Sequence, residues 1–292
     1  MRWPDDWAGS IRREISLRRL TTLGVGGRAA YAFFPRDVKD LRAALRFCRC
    51  EGLPVRVLGD GSNVLVSSRR FPGAVVCTRS LKGMRVEGDR VAVAAGESLI
   101  RTIAWTLRND RVGLETLVGI PGSMGGSVRM NAGGRHGCIG DHVHAVTGVN
   151  VLTGEEVHRD AAACSFGYRT SSLGDLVVTQ VELALATGDG KAGRFRARAV
   201  LDEKRRTQPL RARTAGCVFK NPPGDSAGRL IEEAGLKGLR CGGARVSPRH
   251  ANFIVTGPDA RADDVGGLIR TVRRRVSERF GVTLELEIDV WS

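Results

Sequence analysis

Features that mark several other protein classes are scarce or missing in this chain of 292 residues. No apolar run reaches the about 18 residues that a membrane-spanning helix needs, so we expect no contact with a membrane. Aromatic residues make up only 5% of the sequence, which leaves few side chains on which nucleic-acid bases stack. Residues 1–7 contain two acids where a secretory signal needs an apolar core, and this predicts a cytoplasmic protein.

Cysteine is present seven times, an odd number, but no Cys-x-x-Cys motif is found. This usage argues against a disulfide framework and a zinc ribbon, and it predicts free thiols. His142 and His144 alternate close to Cys138 and would share one face of a strand. No further ligand follows at the spacing of a metal site, so we expect no bound metal.

The charge of the chain is strongly positive. Lys and Arg together number 46 against 31 Asp and Glu, which gives a formal net charge of +15. A basic surface of this kind suits nucleic acid, or it steers multiply anionic small molecules toward a site. Because the positive residues are spread along the chain and aromatic residues are few, we expect small-molecule substrates and no nucleic acid.

Glycine is what the chain has in abundance, above all in residues 119–134, where six of sixteen residues are glycine. Glycine costs a helix interior about 1 kcal/mol relative to alanine and packs poorly in strands, so this composition predicts a loop. A second glycine loop at residues 58–66 follows a strand-like run. Such loops are either structural turns or places where backbone N–H groups approach an anion, and two of them favour a phosphate site.

Hydrophobic periodicity predicts an α+β protein. Helices are predicted at residues 36–51, 191–206 and 263–280. A further helix is predicted to begin after an N-cap at Ser98, and another to run from Asp225 or Ser226 to Gly235. Strands are predicted at residues 29–34, 55–58, 64–66, 74–77, 90–94, 143–151, 175–186, 252–255 and 282–290. Residues 1–20 are predicted to form an irregular arm, and a proline turn at 207–210 predicts a domain boundary.

Four motifs carry a resemblance to a known family. They are GDGSN at 59–63, GIPGSMGGSVRMNAGG at 119–134, GYRTS at 167–171 and GCVFKNP at 216–222. In this order they resemble the bacterial UDP-N-acetylenolpyruvoylglucosamine reductases of peptidoglycan synthesis, over residues 20–287. The chain has only two tyrosines, Tyr31 and Tyr168, and short connections after Pro209. In these features it resembles the shorter type of the family, which lacks a substrate-capping lobe.

The resemblance implies a fold, a reaction and a set of partners. After the arm at 1–20, it implies a two-part FAD-binding domain of the vanillyl-alcohol-oxidase/PCMH type at 21–206, with subdomains at 21–80 and 81–206. A smaller α/β substrate domain follows at 207–292. The implied reaction is NADPH-dependent, FAD-mediated reduction of UDP-N-acetylglucosamine enolpyruvate to UDP-N-acetylmuramate, in a monomer. The alternative is another FAD-dependent oxidoreductase of the same fold that acts on an alcohol or sugar.

Three residues match catalytic positions of the family. Arg169, in a Tyr-Arg pair, would stabilise the negative charge that develops beside the substrate carboxylate. Cys217 stands where the family more often has a serine proton donor, and its alternative role is that of a small packing residue. Glu287 matches the terminal catalytic glutamate, with Glu285 two positions away as the competing candidate.

The remaining predicted site residues bind cofactor or substrate. The resemblance and the glycine loops together imply FAD contacts from Gly59, Gly61, Ser62, Asn63, Gly119, Gly122, Ser123, Gly125, Gly126 and Asn131. The implied contacts to the nucleotide-sugar substrate are Lys220, Asn221, Arg229 and His250.

Overall fold

The structure, a computed structural model, describes residues 7–292. Its helices in that range are α1 (Val38–Cys50), α2 (Leu99–Arg108), α3 (Met124–Arg129), α4 (Gly190–Thr207), α5 (Ala227–Glu233) and α6 (Ala262–Phe280). Its strands there are β1 (Ser10–Ser16), β2 (Arg28–Phe34), β3 (Val55–Leu58), β4 (Val64–Val66), β5 (Phe71–Cys77), β6 (Met84–Glu87), β7 (Arg90–Ala94), β8 (Arg111–Val112), β9 (Gly133–Gly134), β10 (Gly137–Cys138), β11 (Val143–Asn150), β12 (Glu156–Asp160), β13 (Leu176–Ala184), β14 (Ala186–Thr187), β15 (Arg240–Cys241), β16 (Ala244–Val246), β17 (Ile254–Thr256) and β18 (Asp289–Trp291). The predicted α+β class is confirmed.

Two compact units make up the chain. The first contains residues 7–14, Ala30–Asp60 and Pro72–Asp202, and the second contains Ile15–Ala29, Gly61–Phe71 and Glu203–Ser292. Each unit is therefore built from three separate stretches of sequence. The continuous domains expected from the sequence divide the chain differently and stay a prediction. No helix among residues 7–292 is long and apolar enough to cross a membrane.

The first unit contains a four-stranded and a five-stranded sheet, each covered by a helix. One sheet has the strand order β1-β2-β5-β3, and α1 packs on it through Leu41, Leu45 and Cys48, which recur every three or four residues. The other sheet has the order β12-β11-β13-β7-β6, and its pairs are antiparallel. Helix α2 buries Leu99 and Ile103 in the core of this second sheet.

The second unit is organised around α6 and the small antiparallel sheet β15-β16-β17. One face of α6 is apolar, and Val265, Leu268, Val272 and Val276 are buried in a single core. The helix ends at Gly281, which adopts φ +68° as the left-handed C-cap that the sequence predicts. Strand β18 pairs in parallel with β4 at the margin of this unit.

The glycine-rich stretch departs from its predicted loop. Residues Met124–Arg129 form the six-residue helix α3, and two glycines just after it pair as β9 with β10. Ser123 caps α3 by accepting a hydrogen bond from the N–H of Gly126 at 3.3 Å. Met124 and Val128 are fully buried, so tertiary packing outweighs the low helix propensity of the glycines.

Three other local predictions are wrong in part. The predicted arm includes β1, whose strand partner is β2. Within the predicted strand at 282–290, only the last two residues belong to a strand, β18. Leu286 forms an isolated bridge to Phe219. Ser98 occupies the N-cap position of α2 but makes no capping hydrogen bond with its side chain. Each difference depends on pairing partners that a local pattern does not contain.

Asn252 holds the segment that contains the predicted catalytic cysteine. Its side chain is 3% exposed, and it accepts a hydrogen bond from the N–H of Phe219 at 3.0 Å. The same amide donates to the carbonyl oxygen of Phe219 at 2.8 Å. One side chain thus satisfies both backbone groups of a residue that is 1% exposed, in place of a strand partner.

Substitution of Asn252 by Ala would leave both groups of Phe219 buried without partners. We expect the free energy of unfolding to fall by about 2–4 kcal/mol, because each orphaned group carries its desolvation cost. Urea denaturation at neutral pH measures the change. The control is Asn109→Ala at an exposed site, where we expect a change within about 0.5 kcal/mol. Equal losses in the two variants would contradict the assignment.

Candidate active site

The first glycine loop begins where two parallel strands end. Strands β3 and β5 pair in parallel, with Leu58 beside Cys77, so the segments that follow them leave the same edge of the sheet. Arg79 reaches back from the second segment. Its guanidinium donates to the carbonyl oxygens of Gly59 at 3.0 Å and of Asp60 at 2.9 Å. With their carbonyls bound on one side, these residues are held in one loop conformation.

The second glycine loop touches the first. A Cβ atom added to Gly59 would lie 2.1 Å from Oγ of Ser123, closer than any real contact allows. A larger residue at position 59 would therefore have to displace the Ser123 hydroxyl. Glycines stand on both sides of this contact in the sequence, a composition that suits the approach of backbone to a pyrophosphate. The convergence predicted for the two loops is present at this pair of residues.

The other glycines of the predicted cofactor site serve different purposes. Gly119 and Gly122 have φ +83° and +141°, values that side-chain-bearing residues rarely adopt. Gly125 packs on β7, since a Cβ there would lie 2.9 Å from Cβ of Ala95. Gly126 is exposed. In the second unit, Gly61 is buried against the backbone, where an added Cβ would meet the carbonyl oxygen of residue 20 at 2.3 Å.

Arg169 lies at the tip of a tight turn in the first unit. Gly167 and Thr170 exchange backbone hydrogen bonds of 3.1 and 3.3 Å across this turn. Arg169 has φ +56°, a strained value for a residue with a side chain. Its guanidinium stacks on the exposed ring of Tyr168, with Cζ 5.3 Å from the ring centroid. Backbone strain of this kind concentrates at functional sites, and Arg169 is the predicted catalytic arginine.

Cys217 and Glu287 lie on adjacent stretches of chain in the second unit. Cys217 forms an antiparallel bridge with Phe253. The next residue, Val218, accepts a backbone hydrogen bond from Glu287 at 2.9 Å. Cys217 is half-buried, in contrast to Cys77, where burial raises the pKa of the thiol to about 12. The setting of Cys217 thus differs from that of a core cysteine.

The two competing glutamates have different surroundings. The carboxylate of Glu285 is exposed and lies 3.5 Å from Nζ of Lys220. Glu287 is half-buried, and its carbonyl oxygen accepts a hydrogen bond from Nδ2 of Asn63 at 3.1 Å. The predicted cofactor residue Asn63 and the predicted catalytic residue Glu287 are therefore neighbours. Ser62, which is also half-buried, precedes Asn63 in the first glycine loop.

The predicted substrate cations are engaged in ion pairs. Arg229 pairs within α5 and its preceding turn, with the carboxylates of Asp225 and Glu233. These acids raise the pKa of Arg229 further above its ordinary value. Lys220 pairs with Glu285. Exposed pairs of this type are weak, so a phosphate is able to compete for both cations.

Asn221 and His250 have structural contacts of their own. Oδ1 of Asn221 accepts from the N–H of Ala227 at the start of α5, at 3.1 Å. The ring of His250 packs edge-on against Phe253, with centroids 4.8 Å apart. It also faces α5, since a Cβ added to Gly228 would lie 3.3 Å from its Cε1 atom. Both residues therefore help to place α5 and its neighbouring turns.

Three residues near the site carry no signal in the sequence. Arg79 and Asn252 orient backbone groups of Gly59 and Phe219, and a lone arginine or asparagine is not distinctive. The buried hydroxyl of Thr214, three residues before Cys217, has no hydrogen-bond partner among residues 7–292. Only the folded chain shows these relations. Within the same range no cluster of three metal-ligating side chains occurs.

Comparison with known proteins places the chain in a family. Residues 208–291 match the C-terminal domain of UDP-N-acetylenolpyruvoylglucosamine reductase, and residues 29–159 match an FAD binding domain. A reductase of that name from Prochlorococcus marinus is 36% identical, over 95% of this chain and 97% of its own. The chain belongs to the UDP-N-acetylenolpyruvoylglucosamine reductase family. The recognition made from the four motifs is confirmed.

Other family members agree. The reductase from Moorella thermoacetica is 44% identical over 94% of this chain and 91% of its own. The crystal structure of the Thermus caldophilus reductase superposes with a TM-score of 0.85 at 39% identity, covering 97% of this chain and all of that one. The 6-hydroxy-D-nicotine oxidase of Arthrobacter nicotinovorans, at 17% identity, covers 63% of this chain and 43% of its own with a TM-score of 0.52, and it shares the fold alone.

The glycine loops fit the FAD that this family of flavoprotein oxidoreductases uses. The cradle formed by Gly59 and Ser123 has no room for a Cβ at position 59 unless the Ser123 hydroxyl moves, so the first loop passes close to the second. Residues 29–159, which match the FAD binding domain, contain both of these residues. The predicted FAD-binding fold is thus confirmed, whereas the individual contact residues stay predictions.

Substitution of Gly59 by Ala tests the cradle. The added methyl group would displace the Ser123 hydroxyl, which caps α3, so we expect the purified protein to carry much less FAD than the wild type. Absorbance of released flavin per protein measures this. Gly134→Ala in the second glycine-rich stretch is the matched control, since no atom lies within 4 Å of its added Cβ. Full flavin content in the Gly59 variant would contradict the proposed cradle.

His250 offers a test by pH. Its Nδ1 accepts from the backbone N–H of Asn252 at 3.3 Å, so the neutral ring carries its proton on Nε2. Burial lowers the pKa of His250 below its ordinary 6.5; the positive charge of Lys237 lowers it further, and Glu232 partly opposes the shift. Protonation therefore costs the folded state both desolvation and this hydrogen bond.

The free energy of unfolding should consequently decrease as the pH is lowered below 6.5. There the unfolded chain binds a proton that folded His250 does not, so the free energy of unfolding rises with pH until the unfolded group is neutral. We expect His250→Gln to have a shallower slope between the folded pKa and pH 6.5, and a parallel curve above about pH 7.5. Urea titrations across pH measure both slopes. Equal slopes of the wild type and the variant below pH 6.5 would exclude the buried His250 ring as a source of the pH dependence of stability.

Proposed function

We propose that this protein catalyses the NADPH-dependent reduction of UDP-N-acetylglucosamine enolpyruvate to UDP-N-acetylmuramate, a step in peptidoglycan precursor synthesis. The observation that carries the proposal is the match to reductases of this name over 94–97% of the chain in the comparisons above. When bound, FAD supplies hydride transfer between the nicotinamide and the terminal alkene carbon. The protein must then place the substrate, stabilise negative charge and deliver one proton.

Arg169 is proposed to stabilise the charge. As hydride adds to the alkene, negative charge develops on the carbon that bears the carboxylate and spreads into that group. A planar guanidinium that stays protonated pairs with both carboxylate oxygens and gains strength as their charge grows. The strained, turn-held backbone of Arg169 supports this role, because a fixed donor costs no reorganisation during the reaction.

Cys217 is proposed to deliver the proton to the carbon beside the carboxylate. A thiol releases its proton more readily than the alcohol of a serine, the residue that the family resemblance implies more often at this position. Half-burial of Cys217, with Phe253 beside it, supports a thiol that a substrate can reach. Glu287 would orient the carboxylate or assist the proton transfer, and its half-buried position favours it over the exposed Glu285.

The further assignments follow from the same proposal. Lys220, Asn221, Arg229 and His250 would bind the nucleotide-sugar diphosphate, with the two cations exchanging their present carboxylate partners for phosphate. Gly61, Ser62 and Asn63 would contribute to FAD binding. A monomer in the cytoplasm, with domains at 21–206 and 207–292 after an arm at 1–20, remains part of the proposal.

Anaerobic titration tests the reaction directly. NADPH should bleach the flavin absorbance of the holoenzyme, and the enolpyruvyl ether of UDP-N-acetylglucosamine should restore it with one lactyl ether formed per flavin. NADH in place of NADPH tests the preferred reductant. Fast consumption of oxygen with a simple alcohol or sugar, and no bleaching by NADPH, would instead favour the alternative oxidoreductase function.

Substitution of Cys217 by Ala separates the two half-reactions. We expect NADPH to reduce the flavin at the wild-type rate and the ether to reoxidise it about 100- to 10,000-fold more slowly, the usual contribution of a general acid. Cys217→Ser should recover part of that loss. Cys241→Ala removes another half-buried thiol from the same unit and should leave both rates unchanged. Wild-type reoxidation by the Ala variant would remove Cys217 from the mechanism.

A further inference from the structure

Asn131, immediately after α3, connects three separate stretches of the first unit. Its side chain is 6% exposed. Nδ2 donates to the carbonyl oxygen of Gly167 at 2.9 Å, and Oδ1 accepts from the N–H of Gly140 at 2.9 Å. Both ends of the amide are therefore used within the protein.

The contacts of Asn131 are tightly constrained. A Cβ added to Gly140 would lie 2.8 Å from Oδ1 of Asn131, so a glycine is needed for the amide to reach the backbone there. Asn131 itself has φ +43°, in the left-handed region that asparagine tolerates better than most residues. This conformation places the side-chain amide of Asn131 between the segments that contain Gly140 and Gly167. The hydrogen bonds of the amide hold the conformation.

The carbonyl that receives Nδ2 belongs to the turn of Arg169. Gly167 is the first residue of that turn, and its carbonyl oxygen accepts from Thr170 as well as from Asn131. Arg169 at the tip has φ +56°. A strained residue persists in one conformation only where its surroundings hold it, and the bond from Asn131 holds the base of the turn.

The end of α3 also holds the chain beyond the turn. The hydroxyl of Ser171 donates to the carbonyl oxygen of Arg129 at 2.7 Å. Nη1 of Arg129 donates to the carbonyl oxygens of Leu173 at 3.2 Å and Gly174 at 3.1 Å. The start of α3 bears Ser123, which touches Gly59. One short helix therefore links the glycine cradle to both sides of the Arg169 turn.

We propose that Asn131 is a positioning residue for Arg169: its amide fixes the turn at residues 167–170 and thereby aims the guanidinium at the developing carboxylate charge. The inference rests on the proposed function, because that function makes the aim of Arg169 matter. It gives Asn131 a role distinct from direct contact with FAD. Loss of the amide should slow the step that needs Arg169 and leave the reduction of flavin by NADPH intact.

The first test follows backbone order and needs no substrate. Asn131→Asp keeps the size of the side chain and the acceptor for Gly140 but loses the donor to Gly167. We expect faster amide hydrogen exchange in peptides covering residues 166–171 of the holoenzyme. The matched control is Asn150→Ala, another asparagine whose amide joins loop segments of this unit. Unchanged exchange in the Asp variant, or an equal increase at 166–171 in the control, would overturn the proposal.

The second test is a double-mutant cycle in the half-reactions. Asn131→Asp and Asn131→Ala should retain FAD, accept hydride from NADPH at the wild-type rate, and react with the enolpyruvyl ether about 10- to 100-fold more slowly. Added to Arg169→Ala, either substitution should change the rate within about threefold, because the two residues act through one group.

The outcomes separate this inference from the proposed function. Multiplicative rate losses in the double variants, loss of FAD, or slow reduction by NADPH in the Asn131 variants would overturn the positioning role. If wild-type holoenzyme does not react with the ether, the proposed function fails, and the exchange experiment alone decides whether Asn131 holds the turn. Asn150→Ala should react like the wild type in both half-reactions.

Discussion

The close approach of Gly59 to Ser123 is the constraint on which the arrangement of the first unit depends. A Cβ atom at position 59 would overlap the side-chain hydroxyl of Ser123. Parallel pairing of β3 with β5 brings the first loop to the sheet edge, and Arg79 holds its carbonyls there. Burial of Met124 holds α3, and with it the second loop. The result is a glycine-rich meeting point, whose composition suits the approach of backbone to an anionic ligand.

Two of the five non-glycine residues with positive φ among residues 7–292 lie just after α3 and in the turn bonded to it. Asn131 and Arg169 both have left-handed backbones, and a hydrogen bond from the first holds the turn of the second. Such conformations cost on the order of 1–3 kcal/mol each and persist only when packing and hydrogen bonds around them are strong. Here the hydrogen bonds from Gly140 to Asn131 and from Asn131 to Gly167 provide that support. Rigid placement of a charged group is what stabilisation of a developing anion requires.

In the second unit, the segment around Cys217 is not part of a regular strand and is held by other contacts. Around Cys217 the backbone pairs by single bridges, to Phe253 on one side and, two residues on, to Leu286 on the other. Asn252 supplies with its side chain the two hydrogen bonds that a neighbouring strand would otherwise make. Irregular pairing of this type leaves a side chain such as Cys217 half-exposed, while the core beneath it remains closed.

Local sequence determined much of this protein. The apolar periodicity of α1 and α6, the glycine at the end of α6 and the four motifs identified most elements and the family, because helix faces and tight turns are encoded within a few residues. Tertiary structure decided the rest. It made a helix of residues 124–129, kept most of 282–290 out of strand, and paired Asn63 with Glu287, 224 positions away. Burial and long-range hydrogen bonds outweigh local propensity at these places, and no local pattern specifies which partners they bring together.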